Sequence, residues 1–180
     1  MVYVFLADGF EEMEAITPID MMRRANLDVR TISITNRRNV VGAHQIEVMA
    51  DDIFDTQTFD DAEMLVLPGG MPGTLHLHNH EALCEMLRQH NAAGKWIAAI
   101  CAAPSILGDL GLLDGKHATC YPGFESHLAQ SYTGTYVECS HNIITGRGAG
   151  VAIPFAHALI SALAGKETAD KVKAEIQCQN

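Results

Sequence analysis

Cys101 stands at the end of five consecutive apolar residues, Trp96 to Ile100, and just ahead of Ala102, Ala103, Pro104 and Ser105. An apolar run without alternation reads as a strand buried on both faces, as in a parallel sheet. Small residues and an early proline after it read as the start of a helix. A nucleophile at a sharp strand-to-helix corner is a nucleophile elbow. It places the sulfur at the carboxyl edge of the sheet, where open α/β folds keep their sites. The sulfur would also lie over a helix N-terminus, whose partial positive charge favours thiolate over thiol. The alternative is a packing cysteine, since free cysteine is among the most buried residue types.

Two other strand ends carry useful groups. Val2 to Ala7 reads as a strand, and Asp8-Gly9 leads from it into Glu11, Glu12, Met13 and Glu14 at a helix start. Acidic residues there suit the helix dipole, which accounts for Glu11 and Glu12. Glu14 is the one read as chemical. Pro18, four residues later, is expected to bend the helix next to it. Met64 to Leu67 reads as another buried strand, ending in Pro68-Gly69-Gly70-Met71-Pro72-Gly73. Glycine amides in such a loop are free to point at a ligand. The loop lacks the lysine ending of a P-loop and the spacing of a dinucleotide fingerprint.

In a parallel sheet these three ends lie on one edge and can converge. Cys101 is then the nucleophile. The N–H groups of Gly70 and Ala102 form an oxyanion hole, with Gly69 lining the site. Glu14, kept protonated by burial, hydrogen-bonds the sulfur and shuttles a proton. A histidine base of the peptidase type is missing. Ala102 follows the cysteine directly, and the position at the end of the next predicted strand, His117 to Cys120, is Tyr121. His117 and His127 are nearby in sequence without a defined orientation. This pattern argues against peptide hydrolysis.

The remaining stretches supply the elements. Val29 to Ile34 is a strand, so the chain opens with a βαβ unit. Asn36 to Asp52 reads as an exposed β-ribbon, Ile53 to Asp61 as a loop, and Thr74 to Asn91 as one helix. His76 and His80 would share a face of that helix and could hold a metal weakly, though an exposed polar helix start is the commoner outcome; no metal is expected. A helix to about Leu110, a short helix over Phe124 to Gln130, strands at Tyr136–Cys139 and Asn142–Thr145, a Gly146–Gly150 loop, and helices over Val151–Leu163 and Lys166–Ile176 complete the pattern. Strands alternating with helices give an α/β sandwich with a mostly parallel sheet.

The 180 residues fit one domain spanning 1–180. The composition, 48% hydrophobic and 19% charged, excludes disorder. A net charge of −10 without a basic cluster argues against nucleic-acid binding. No apolar run approaches the roughly 20 residues that span a bilayer. Met1 to Asp8 lacks a basic n-region and reads as a strand rather than a signal peptide. The five cysteines are odd in number, scattered, and form no C-x-x-C pair. That points to a reducing compartment, here the cytoplasm.

The stretch from Gly9 to Ala15, with Pro18 and Asp20 behind it, resembles the first-helix motif of the ThiJ/PfpI superfamily. Leu67–Gly70, Ala98–Pro104, Gly146–Gly150 and Gly165–Glu167 match in order. They are most similar to the branch of the parkinsonism-associated protein deglycase. The resemblance implies a flavodoxin-like three-layer fold, a homodimer, and a reactive, oxidation-prone Cys101 paired with protonated Glu14. It implies no cofactor. The implied substrates are small α-oxoaldehydes such as methylglyoxal, or early glycation adducts on proteins or nucleotides. Redox sensing and stress chaperoning are the implied alternatives. Tyr121 stands where glyoxalase-active relatives often carry a histidine. His44, in the ribbon, stands where animal members bring an arginine from the partner subunit.

Overall fold

The structure, a computed structural model, describes residues 1–178; the last two residues of the expected 1–180 domain lie outside them. Its framework is a seven-stranded sheet. The strands are β1 (Val2–Leu6), β2 (Val29–Ser33), β5 (Asp52–Ile53), β6 (Met64–Leu67), β7 (Trp96–Ile100), β8 (Val137–Ser140) and β9 (Ile143–Gly146), in the order β5-β2-β1-β6-β7-β9-β8. All neighbours pair parallel except β8, which returns antiparallel to β9. The runs without alternation are explained directly: β1, β6 and β9 are buried along their whole length, and β7 at all but Trp96.

Helices cover both faces. On one side lie α1 (Glu12–Arg24), α6 (Ala152–Ala164) and α7 (Lys166–Glu175), whose Met22, Phe155, Ile160 and Val172 join the inner sheet residues Val4, Val66 and Ile144. On the other lie α2 (Gly73–His78), α3 (Glu81–Ala92), α4 (Pro104–Asp109) and α5 (Glu125–Leu128), with Leu77, Leu87, Ile106 and Leu128 against Phe5, Leu65 and Ile97. This is the three-layer α/β sandwich with a mostly parallel sheet that the sequence pattern implies. A separate two-stranded ribbon, β3 (Asn39–Val41) against β4 (Glu47–Met49), projects from it.

Several local expectations differ. The stretch from Thr74 to Asn91 is two helices, broken at Asn79-His80, because His80 caps the second: its Nδ1 accepts the Leu83 N–H at 3.1 Å. His76 instead bonds the Asp8 carbonyl at 2.9 Å through Nδ1, so the two imidazoles have different partners and do not form a metal pair. The expected loop from Ile53 begins as the edge strand β5, too short for periodicity to reveal. His117 to Cys120 forms no strand; only Ala118 bridges to Tyr132. The short helix is trimmed to Glu125–Leu128. α1 runs on through Pro18.

Candidate active site

β7 ends at Ile100, and Cys101 turns the chain. Its φ is +64°, a left-handed conformation that costs an L-residue about 1–2 kcal/mol and concentrates at functional corners. Three bonds hold it there. The Cys101 N–H donates to the Gly146 carbonyl at the end of β9 (2.9 Å), its carbonyl accepts the Tyr121 N–H (2.8 Å), and the Ala103 N–H donates to Ile100 (3.1 Å). The side chain is half-buried. The N–H groups of Gly70 and Ala102 act on the sulfur in the direction that favours its anion.

β6 delivers the loop that faces this corner. Gly69 is wedged so tightly that an added Cβ would lie 2.5 Å from Glu14 Oε2 and 2.6 Å from Cys101 Cβ. No other residue fits. Gly70 has φ +90°, and an added Cβ would run into the backbone of Gly9, Phe10 and Glu11. The Glu11 N–H donates to the Gly69 carbonyl at 2.9 Å, docking the start of α1 on this loop.

That docking brings Glu14 to the sulfur. Glu14 is 1% exposed, and its Oε2 accepts the Gly69 N–H at 3.0 Å. Oε1 is buried with no conventional hydrogen-bond partner. Burial pushes the carboxyl up to about 7, with the charge of Glu11 adding; the Cys101 side chain and the Gly69 N–H pull against that rise. The expected protonation of Glu14 at and below neutrality has its physical cause here.

The thiol departs from expectation. Burial pushes Cys101 up to about 12, followed by the charge and hydrogen bond of Glu14, while the Gly70 and Ala102 amides work the other way. The predicted depressed thiol assumed a helix dipole strong enough to prevail. α4 is only six residues long, and desolvation outweighs it. Two of the upward influences come from Glu14 as carboxylate, so they lapse when Glu14 takes the proton. Glu14 therefore gives up its proton before the thiol does, and its charge then helps to hold the proton on the sulfur.

The other expected residues fall further out. Tyr121 is tied to Cys101 through its backbone, and its ring lies against Gly148, where an added Cβ would be 3.1 Å from Cδ2. His127 bonds Asp109 at 2.8 Å. His44 lies in the ribbon turn, its Nδ1 2.9 Å from Glu12 Oε2 and 3.5 Å from Glu11 Oε2. Glu12 is the residue the dipole reading undervalued. It is buried, and its Oε1 accepts the His44 N–H at 2.7 Å and the Ile46 N–H at 3.5 Å. Glycine at position 42, where any Cβ would strike the Glu12 side chain, was the signal. Glu11, Glu12 and His44 form a group with ligand atoms within 4.8 Å of one another, but Glu12 is already committed to the ribbon.

Between Tyr121 and the loop after β9 lies a groove of about 370 Å³, lined by Tyr121, Pro122, Tyr136, Arg147 and Val151 among others. Sequence reading missed Arg147, although it follows a fourth strand end. A larger cleft of about 520 Å³, bordered by Ile16, Asp20, Arg24, Ile153 and Glu175, holds none of the candidate residues.

Residues 1–162 match the DJ-1/PfpI family. The chain belongs to that family. It is 38% identical over 174 residues to protein DJ-1 homolog B of Arabidopsis thaliana, covering 95% of this chain and 40% of that one. The chain spans less than half the length of the Arabidopsis relatives, 45% in the case of homolog A. A protein of Pyrococcus abyssi named a deglycase is 33% identical over 128 residues, 71% of this chain and 75% of that one. The structure of oxidized Toxoplasma gondii DJ-1 superimposes with a TM-score of 0.94 at 37% identity, covering 98% of this chain and 97% of that one. The fold is thus the DJ-1/PfpI fold. Among the described residues no helix is long and apolar enough to cross a membrane.

Proposed function

We propose that this chain is a cysteine-dependent, cofactor-free enzyme acting on α-oxoaldehydes or their early glycation adducts, in the service of defence against carbonyl and oxidative stress. The observation that carries the reading is the strained Cys101 corner with buried Glu14 beside it, the two held together across Gly69, whose N–H donates to Glu14 Oε2 at 3.0 Å. A general base near 7 is matched to neutral operation. For methylglyoxal, Sγ adds to the aldehyde carbon as the thiol proton passes to Glu14. The oxyanion so formed takes the amides of Gly70 and Ala102, then the proton, giving a hemithioacetal. Glu14 next removes the carbon-bound proton of that adduct. Reprotonation at the neighbouring carbon yields the thioester of lactate, and water releases lactate and regenerates the thiol. The balance is methylglyoxal plus water to lactate, with no redox partner.

Cys101→Ala abolishes lactate formation on this reading; turnover at the wild-type rate in that variant ends it. A second reading is favoured by the same amides. A pocket that holds an oxyanion also holds sulfinate oxygens, which suits a redox sensor or stress chaperone. Mild peroxide followed by mass spectrometry separates them: a sensor oxidises at Cys101 before Cys84, Cys120, Cys139 and Cys178, without needing turnover.

We further infer a homodimer in the cytoplasm. Met13 and Ile16 on α1, and Ile46 and Met49 on the ribbon, are large apolar residues exposed by 41–72%. A second copy would cover them and bring His44 near a neighbouring site. Light scattering that returns a monomer mass removes this inference.

A further inference from the structure

Arg147 is the exception among the arginines. Arg23, Arg24, Arg30, Arg37, Arg38 and Arg88 each pair with an aspartate or glutamate. Arg147 pairs with no carboxylate among the described residues. Its guanidinium donates one long bond, 3.4 Å, to the Gly134 carbonyl. In a chain of net charge −10, a half-buried guanidinium left without an acid is a cation with capacity to spare.

Its position gives that capacity a direction. The groove of about 370 Å³ has two walls, and both are bonded to the backbone of Cys101. One wall, Tyr121-Pro122, starts where the Tyr121 N–H meets the Cys101 carbonyl. The other, Arg147 to Val151, starts just past Gly146, whose carbonyl accepts the Cys101 N–H. The Arg147 N–H in turn donates to the Tyr136 carbonyl at 2.9 Å, which places Tyr136 at the rim. Tyr121 is 50% exposed and Tyr136 is 70% exposed, so two open aromatic side chains line the same groove as Arg147. Small-molecule sites have this make-up: mostly apolar, a few hundred Å³, with one polar group fixing orientation. Aromatic walls suit a planar group, and a guanidinium recognises a carboxylate in bidentate fashion.

We propose that this groove is the subsite for the non-reacting end of the substrate, and that it takes a planar group carrying a carboxylate. The proposal rests on Cys101 as the nucleophile of the proposed function, and it extends that reading from the reacting carbonyl to the rest of the substrate. Methylglyoxal, with only a methyl group beyond its two carbonyls, leaves the groove empty, so adducts and aryl oxoaldehydes bearing an acid are the better-fitting class.

The test uses two alkylating probes with one warhead: 4-(iodoacetamido)benzoate and N-phenyl iodoacetamide. In each, the sulfur displaces iodide, a C–S bond replaces the C–I bond, and the thiol proton leaves to Glu14 or buffer. Peptide mass spectrometry reads the rate at Cys101 alone, and the ratio of the two rates cancels the intrinsic reactivity of the thiol. The acidic chain as a whole repels the benzoate, so a ratio above one reports a local cation. We expect a ratio of about ten in the wild type, as for one charge-assisted contact. It falls to one or below in Arg147→Gln and recovers partly in Arg147→Lys. Tyr136→Ala, at an exposed rim position, slows both aromatic probes relative to iodoacetamide. A wild-type ratio of one or less, or a ratio unchanged in Arg147→Gln, overturns the proposal. If the ratio behaves as expected while the wild type forms no lactate from methylglyoxal, the groove stands and the proposed reaction falls.

Discussion

Glu12 and Glu14 lie two residues apart in the first turn of α1, both buried, yet their acidities move in opposite directions. Burial acts to raise both. For Glu12 it is outweighed by the His44 side chain and by backbone N–H groups, including those of His44 and Ile46, and the carboxyl falls below its usual value. For Glu14 the Gly69 N–H and the sulfur are too few, and the carboxyl rises to about 7. Depth and donor count together separate the two carboxylates: Glu14 lies deeper and has fewer donors than Glu12. Glu12 pins the ribbon; Glu14 keeps one buried oxygen without a hydrogen-bond partner beside Cys101.

The largest effect expected from this contrast is on turnover. Glu14→Gln keeps the shape and removes the titrating proton, and should lower methylglyoxal turnover by about 10²–10⁴-fold. Glu12→Gln, measured in the same assay, should lose far less. Equal losses in both would dissolve the distinction between the two carboxylates.

Gly69→Ala comes next. The new methyl has nowhere to go between Glu14 Oε2 and Cys101 Cβ, so the loop or the elbow must shift. Overpacking of this kind costs about 1–3 kcal/mol and should also separate the pair; relieved of the Glu14 charge and hydrogen bond, the thiol ionises more readily, so the denaturant midpoint falls while the Cys101 alkylation rate rises. A variant that loses stability but alkylates like the wild type would show that the wedge serves packing alone.

Glu12→Ala strips the acceptor from two ribbon amides and the imidazole, at about 2 kcal/mol, or roughly 5 °C in Tm. Amide exchange should speed up at His44 and Ile46 first. Acceleration spread evenly over the sheet would contradict the local role.

The sheet, its buried strands and the meeting of Cys101, Glu14 and Gly69-Gly70 at one edge were legible because parallel strands leave apolar runs without alternation, and their carboxyl ends share a side. What stayed hidden depends on distances between segments far apart in the chain. Glu12 looks like dipole compensation until the ribbon folds back over it from residues 42–46. The thiol looks activated until the brevity of α4 and the depth of the elbow are known. Arg147 looks like a loop residue until every other arginine is seen to have a carboxylate. The break at His80 was invisible because helical periodicity continues across it, and only a side-chain cap divides the two helices.

The smallest effect separates the two carboxylates by pH alone. The folded-state pKa of Glu14 is raised, so its contribution favours the fold at low pH, and stability is lost as pH climbs from about 4.5 through about 7. Glu12 is lowered, so its contribution is present above the unfolded value and lost as pH falls through the folded one. His44 is raised by its hydrogen bond to Glu12 and by the charges of Glu11 and Glu12. Its contribution is therefore full below about 6.5 and lost as pH rises through the folded value. Unfolding free energy measured every half unit from pH 4 to 8 should show Glu14→Gln gaining on the wild type as pH rises. Glu12→Gln should lose ground over the lower half of that range, and His44→Gln should lose its deficit at the alkaline end. The ring of His44 is solvent-exposed, so its share is the most easily screened and should shrink in high salt, while the Glu14 slope, set by burial, should persist. If salt erased both slopes alike, the difference between the two carboxylates would be one of surface charge rather than of donors and desolvation.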